Sequence, residues 1–195
     1  MALLMAALFG GLAFAVTRGR TGWFDRAVRA GVHAWASPPL TFAMRILTSL
    51  GAFPFLAILG MSFSWLLGAE GRRRNAILLL SATLGGEGLD QALKFLLERP
   101  RPAVFFGLAQ PASYSFPSGH SMASACFYGA LAIIVCSRMR SRAWRSVIAL
   151  AAAAVIVLVG FSRIYLGVHY PTDVLGGYLA AVAWMALLRA AGVWG

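Results

Sequence analysis

Charge is scarce in this 195-residue chain: 12% of its residues are charged, against roughly a quarter in a soluble domain. That shortage excludes a separate soluble domain. Acidic residues number six in all, and around the stretch that carries His169 they reduce to Asp173 and the flanking Glu98, too few carboxylates for a two-metal centre. Lysine is almost missing, with Lys94 alone among 17 basic residues. The two cysteines, Cys126 and Cys136, share one apolar stretch. Ten residues of helix hold them about 15 Å apart, beyond the span of a disulfide. No internal repeat or low-complexity tract is evident.

What is abundant is apolar sequence. Hydrophobic residues make up 60% of the chain and the mean hydropathy is +0.77. A bilayer-spanning helix needs about 20 mostly apolar residues, and six apolar runs are present: 1–16, then about 46–68, 76–97, 119–136, 147–166 and 173–190. The expected fold is therefore an all-α integral membrane protein, a single domain over 1–195 with six transmembrane helices. Ala13-Phe14-Ala15 resembles a cleavage site, but no positive segment precedes the first run, so a retained span is expected. Residues 23–36 read differently. Trp23, Phe24, Ala27, Val28, Gly31, Val32 and Trp35 recur at helical spacing, with Arg26, Arg29 and His33 on the other side. That pattern predicts a short amphipathic helix in the membrane interface, Trp inward and Arg outward, serving as an anchor.

The net charge of +11 would suit nucleic acid if it formed one patch. Instead it is parcelled into short clusters between apolar runs, chiefly Arg72-Arg73-Arg74 and Arg138, Arg140, Arg142 and Arg145. These are expected to be cytoplasmic loops held by the positive-inside bias, which excludes nucleic acid as a partner. Loops 98–118 and 167–172 then face outward.

Ionisable residues at membrane depth are rare and usually functional. Three stretches bring them to the outer ends of the expected spans. The first, 94–102, pairs Lys94 near a helix end with Arg101 in a turn stiffened by Pro100 and Pro102. A mobile ammonium and a planar guanidinium suit the several oxygens of a phosphate. Arg99 is as well explained as an interfacial residue. The second stretch, Pro117-Ser118-Gly119-His120, opens an apolar run. Gly119 permits close backbone approach to a ligand, a helix starting there aims free N–H groups at an anion, Ser118 adds a hydroxyl, and His120 stands at the rim to protonate a leaving oxygen. The third, 162–173, holds Arg163, His169 and Asp173. Pro171 favours a helix start, which places Asp173 in the first turn, where it can orient the imidazole of His169 and leave the other ring nitrogen free to attack. Glu87 and Asp90 lie within a span, one or two turns before Lys94; helix packing or an ion pair is the expected role.

In order and spacing these three stretches resemble the signature motifs of the type 2 phosphatidic acid phosphatase superfamily, a likeness in layout covering roughly residues 23–190. The resemblance implies six membrane helices and phosphatase chemistry without metal or cofactor. It implies His169 as nucleophile, Asp173 as its orienting partner, His120 as acid and then base, and Lys94, Arg101, Ser118, Gly119 and Arg163 as the phosphate cradle. The implied partners are a lipid phosphate and the bilayer, in a bacterial cytoplasmic membrane with the site facing the periplasm or exterior. Undecaprenyl pyrophosphate is the favoured substrate, with phosphatidylglycerophosphate and phosphatidic acid as alternatives. Phe105, Phe106, Tyr114 and Phe116 are expected to form an interfacial mouth for the lipid tail. Transfer to another lipid instead of water, or transport of a lipid phosphate, are the competing activities.

Overall fold

The computed structural model describes residues 2–194, and among them no strand occurs. Nine α-helices follow in order: α1 (Ala2–Thr17), α2 (Gly22–His33), α3 (Pro38–Ser49), α4 (Phe53–Ala69), α5 (Arg73–Leu80), α6 (Gly86–Leu97), α7 (Gly119–Cys136), α8 (Arg142–Tyr165) and α9 (Pro171–Ala190). Prolines open α3, α4 and α9, where their missing N–H has no intrahelical role to lose. Ser141 caps α8 by accepting from Trp144 N–H, so that helix begins five residues before the apolar run that foretold it.

Three helices, α7, α8 and α9, are long and apolar enough to cross a bilayer singly. Two bent pairs, α1 with α2 at 90° and α3 with α4 at 43°, raise the number of candidate crossings among the described residues to as many as five. α5 and α6 are joined by a π-helical turn, Ser81–Gly85. A π turn inserts one residue into the helix and loosens a carbonyl from the ladder; here Ser81 O accepts from Trp184 Nε1 at 3.0 Å. The extra residue rotates the downstream face by about 100°, which turns Asp90 and Lys94 inward, where both are buried.

α7 packs between α8 and α9, and α1 lies along α9. In lipid no hydrophobic force drives helices together, so close van der Waals contact must do so, and small residues permit it. Gly176 lies where a side chain would strike the Phe116 ring at 2.6 Å, and Gly177 where one would strike Ser118 O at 2.7 Å. Gly160 leaves space for the Tyr178 ring, whose hydroxyl bonds Ile156 O. Leu56, Leu79, Met122, Cys126 and Phe127 form the buried centre of the bundle. Both cysteines are free.

α2 turns its tryptophans away from the rest of the protein, as a lipid-facing side requires, and docks its other face on the bundle. Trp23 and Trp35 are exposed, while Asp25 and Val32 are buried, and Arg29 points inward to donate to Ala103 O and Gly167 O. Of Arg26, Arg29 and His33, Arg26 is exposed, while the other two pack on the loops expected to face outward. His33 stacks on Phe105 with ring centroids 3.9 Å apart. The polar stripe is Asp25, Arg29 and His33, four residues apart each time, and buried acceptors reward its docking.

Candidate active site

A cavity of about 240 Å³ lies where α6, α7, α8 and the loops 98–118 and 166–170 meet. Lys94, Arg101, Gly119, His120, Arg163 and His169 all line it. Residues from all three motifs, far apart in the chain, thus share one opening. Glu87, Asp90 and Gln91 line it from the α6 side and Ser113 from the loop.

His169 is 2% exposed, at the end of the short loop between α8 and α9. Its main chain is held by Arg163 O, which accepts from both Val168 and His169 N–H. One ring nitrogen, Nδ1, lies 3.3 Å from Asp173 Oδ2; the other, Nε2, lies 3.0 Å from Arg101 Nη1. A guanidinium has donors only, so Nε2 must carry the lone pair and Nδ1 the proton, pointed at Asp173. Burial, and the nearby Arg163, Arg101 and Lys94 cations, hold this imidazole well below its usual pKa, which keeps it neutral and nucleophilic.

Asp173 occupies the first turn of α9 and reaches back to accept Tyr170 N–H at 2.8 Å, the carboxylate half of a capping box. Ser115 Oγ and Arg99 Nη1 each donate to it at 2.5 Å. It lies wholly buried behind His169. Arg101 is braced on the far side by Ser113, through Nε to its carbonyl at 2.6 Å and Nη2 to its hydroxyl at 2.9 Å. Nη1 also donates to Val168 O at 3.0 Å. Arg163 donates to Thr48 Oγ1 of α3 at 2.7 Å, and its buried Nε has no partner among the described residues, an incompletely satisfied cation of the kind an anion completes.

Lys94 is paired with the buried Asp90 one turn earlier, the ion-pair role expected for that carboxylate. The pair also explains Gly119 more directly than ligand access does. A Cβ on Gly119 would stand 2.9 Å from both Asp90 Oδ2 and Lys94 Nζ, so glycine lets the ammonium lie against the start of α7. Ser118 is not brought to the cavity. It is fully buried, its N–H donates to Asp173 O at 2.9 Å and its hydroxyl accepts from Ser121 Oγ, because α9 presses on it at Gly177. Nor do the loop aromatics form a mouth as expected. Phe116 is fully buried against Phe9, and Phe106 stacks on Tyr165; Tyr114 is the exposed one.

The sequence left Arg99 even between the site and the interface, and it missed Asp25. Arg99 donates to Asp173, to Thr172 Oγ1 at 2.8 Å and to Asp25 Oδ2 at 2.7 Å, and lies 4.1 Å over the Tyr170 ring, so it is no interfacial residue. Asp25 is its second carboxylate. The signal available was the spacing of Asp25, Arg29 and His33 along one face of a helix. Among the described residues no three His, Cys, Asp or Glu side chains are grouped to hold a metal ion.

A cation-lined cavity in an all-helical membrane bundle, with a buried histidine oriented by a carboxylate, is the layout of a membrane phosphatase. A family model described as the PAP2 superfamily matches residues 75–194. Phosphatidylglycerophosphatase B of Bacillus subtilis is 35% identical over 160 residues, covering 79% of this chain and 76% of that protein. An undecaprenyl-diphosphatase of Sulfolobus acidocaldarius is 29% identical over 155 residues, covering 74% and 70%. The crystal structure of the transmembrane PAP2-type phosphatidylglycerolphosphate phosphatase from Bacillus subtilis matches with a TM-score of 0.86 at 30% identity, covering 98% of this chain and 95% of that one. The chain belongs to the PAP2 superfamily, as one of its membrane lipid phosphatases.

Proposed function

We propose that the chain is a metal-independent phosphatase of lipid phosphates or pyrophosphates that works through a phosphohistidine. Lys94, Arg101, Arg163 and the backbone at Gly119 hold the phosphoryl group. His169 Nε2 attacks phosphorus while His120 protonates the departing oxygen, and His120 then takes a proton from the water that releases phosphate. Phosphoryl transfer depends mostly on positioning and charge stabilisation, and three cations supply both. The observation that carries this reading is the placement of His169 between Asp173 at Nδ1 and Arg101 at Nε2. Arg101 caps the attacking lone pair until a phosphate oxygen takes over its N–H.

The chain acts as one domain over 1–195, crossing the bilayer six times through α1, α3–α4, α5–α6, α7, α8 and α9. The charged α5–α6 segment, residues 73–97, is about 37 Å long at 1.5 Å per residue, enough for the sixth crossing. With the arginine clusters around 72–74 and 138–145 in the cytoplasm, the site opens to the outside of the bacterial inner membrane. Polyprenyl pyrophosphate is the favoured substrate, in keeping with the undecaprenyl-diphosphatase relatives. The stronger coverage of the Bacillus subtilis phosphatidylglycerophosphatase supports the second reading, phosphatidylglycerophosphate.

The test is phosphate release by the detergent-purified protein from undecaprenyl pyrophosphate, phosphatidylglycerophosphate, phosphatidic acid and a lipid A phosphate, with and without EDTA. Release that survives EDTA and vanishes in His169→Ala is expected. Full activity in a folded His169→Ala protein, or loss of activity on chelation, overturns the mechanism.

A further inference from the structure

Helix α2 contacts both segments that carry the His169 site. Asp25, 0% exposed, accepts at Oδ1 from Thr172 N–H at 3.1 Å and at Oδ2 from Thr21 Oγ1 at 3.0 Å and Arg99 Nη2 at 2.7 Å. Thr172 Oγ1 lies within 2.9 Å of both carboxylate oxygens and also accepts from Arg99. One turn on, Arg29 ties Ala103 O, beside Arg101, to Gly167 O, beside His169. Such a density of buried polar contacts exceeds what anchoring a helix at a membrane surface requires.

The charges give the arrangement its meaning. One guanidinium, Arg99, lies between two buried carboxylates, Asp25 and Asp173, so the trio carries one net negative charge. If Arg99 had Asp173 alone, it would neutralise that carboxylate and draw it from the imidazole. When Nε2 bonds to phosphorus and the P–O bond to the lipid breaks, the ring gains a positive charge that only Nδ1–H and Asp173 offset. The lost oxygen takes its proton from His120.

We propose that Asp25 is a positioning residue for the nucleophile, acting through Arg99 and Thr172 to leave the trio one net negative charge and to hold Asp173 aimed at His169, which makes α2 part of the reaction apparatus. The proposal rests on the reading of His169 as nucleophile. The titratable groups that share the cavity with His169 are Glu87, Asp90 and Lys94 on α6, His120 on α7, Arg163 on α8 and Arg101 on its loop, with Asp173 of α9 behind it; Asp25 adds to these from a helix distant in sequence.

The test measures kcat, KM and the pH profile on undecaprenyl pyrophosphate or phosphatidylglycerophosphate, whichever the wild type hydrolyses faster. Asp25→Asn should lower kcat about ten- to a hundredfold, by analogy with the outer partners that orient metal-bound histidines, with KM within about twofold. The acid limb of kcat/KM should move to lower pH, because a nearby negative charge is removed. Asp25→Asn with Arg99→Gln removes opposite charges together, keeps the net charge of the trio and should regain part of the lost kcat, a coupling that independent sites do not show. Should the single variant fail to fold, this double variant carries the test, with kcat above that of Arg99→Gln expected. Arg26→Gln, on the exposed side of α2, should match the wild type. A folded Asp25→Asn protein with wild-type kcat and pH profile overturns the proposal, as does a double variant no better than either single. An active His169→Ala protein would instead remove the mechanism itself.

Discussion

Gly119→Ala separates two roles for one glycine. From its place in the motif, Gly119 is expected to admit a ligand to the backbone; in the fold it also admits the Asp90–Lys94 pair. A Cβ there would stand 2.9 Å from Lys94 Nζ and Asp90 Oδ2, where ordinary contact begins near 3.4 Å. Both atoms are ends of flexible side chains, so they can retreat by about 0.5 Å with little strain, and the fold should lose less than about 1 kcal/mol. Catalysis is less forgiving. A misplacement of 1 Å can cost about a hundredfold, so half that shift of a phosphate-holding ammonium should lower kcat/KM about tenfold, or ~1.4 kcal/mol of transition-state stabilisation. Gly177→Ala is the contrast. Its Cβ would meet Ser118 O at 2.7 Å and Met122 N at 3.2 Å, main-chain atoms that cannot yield, so it should destabilise the bundle by about 1–3 kcal/mol. Thermal unfolding in detergent and phosphate-release kinetics on both variants read the two effects separately. Wild-type kcat/KM in Gly119→Ala, or a loss of stability equal to that of Gly177→Ala, would refute the reasoning.

Two further outcomes follow from the same geometry. Arg101→Lys keeps the charge but loses the fork that joins Ser113, Val168 O and His169 Nε2; since a lysine cannot span those partners, kcat/KM should fall about a hundred- to a thousandfold, and a loss under tenfold would show that charge alone suffices. The His169 imidazole is held below its ordinary value of 6.5 by burial and the surrounding cations, so its neutral form persists below that pH and the acid limb of kcat/KM should lie under 6.5. The unfolded chain takes up a proton near 6.5 that the folded site refuses, so stability should decline as the pH falls through that value; a pH–rate profile with its acid limb above 6.5 counters this assignment.

Much of the site was legible because motif spacing is a local property. Pro171 favours a helix start, and Asp173 two residues later then lies in the first turn, within reach of His169. The apolar runs likewise located α7 and α9 almost to the residue, since a bilayer demands length and hydropathy and little else. Position 25 was another matter. The Trp and Arg residues of α2 dominate its pattern and point to an anchoring helix, while the four-residue spacing of Asp25, Arg29 and His33 marks a polar face without saying what it meets.

What the sequence by itself determined is the membrane class, the three motifs and the pairing of His169 with Asp173, each set by spacing along a few turns of chain. Only the tertiary structure decided that Arg99 and Arg101, two residues apart, have different partners, one behind the nucleophile and one before it. It also decided that Ser118 faces away from the cavity and that α2 turns Asp25 inward. The physical reason is that buried polar groups are satisfied by partners brought together only by packing: Asp25 lies 147 residues from the threonine it holds, a separation across which spacing carries no information.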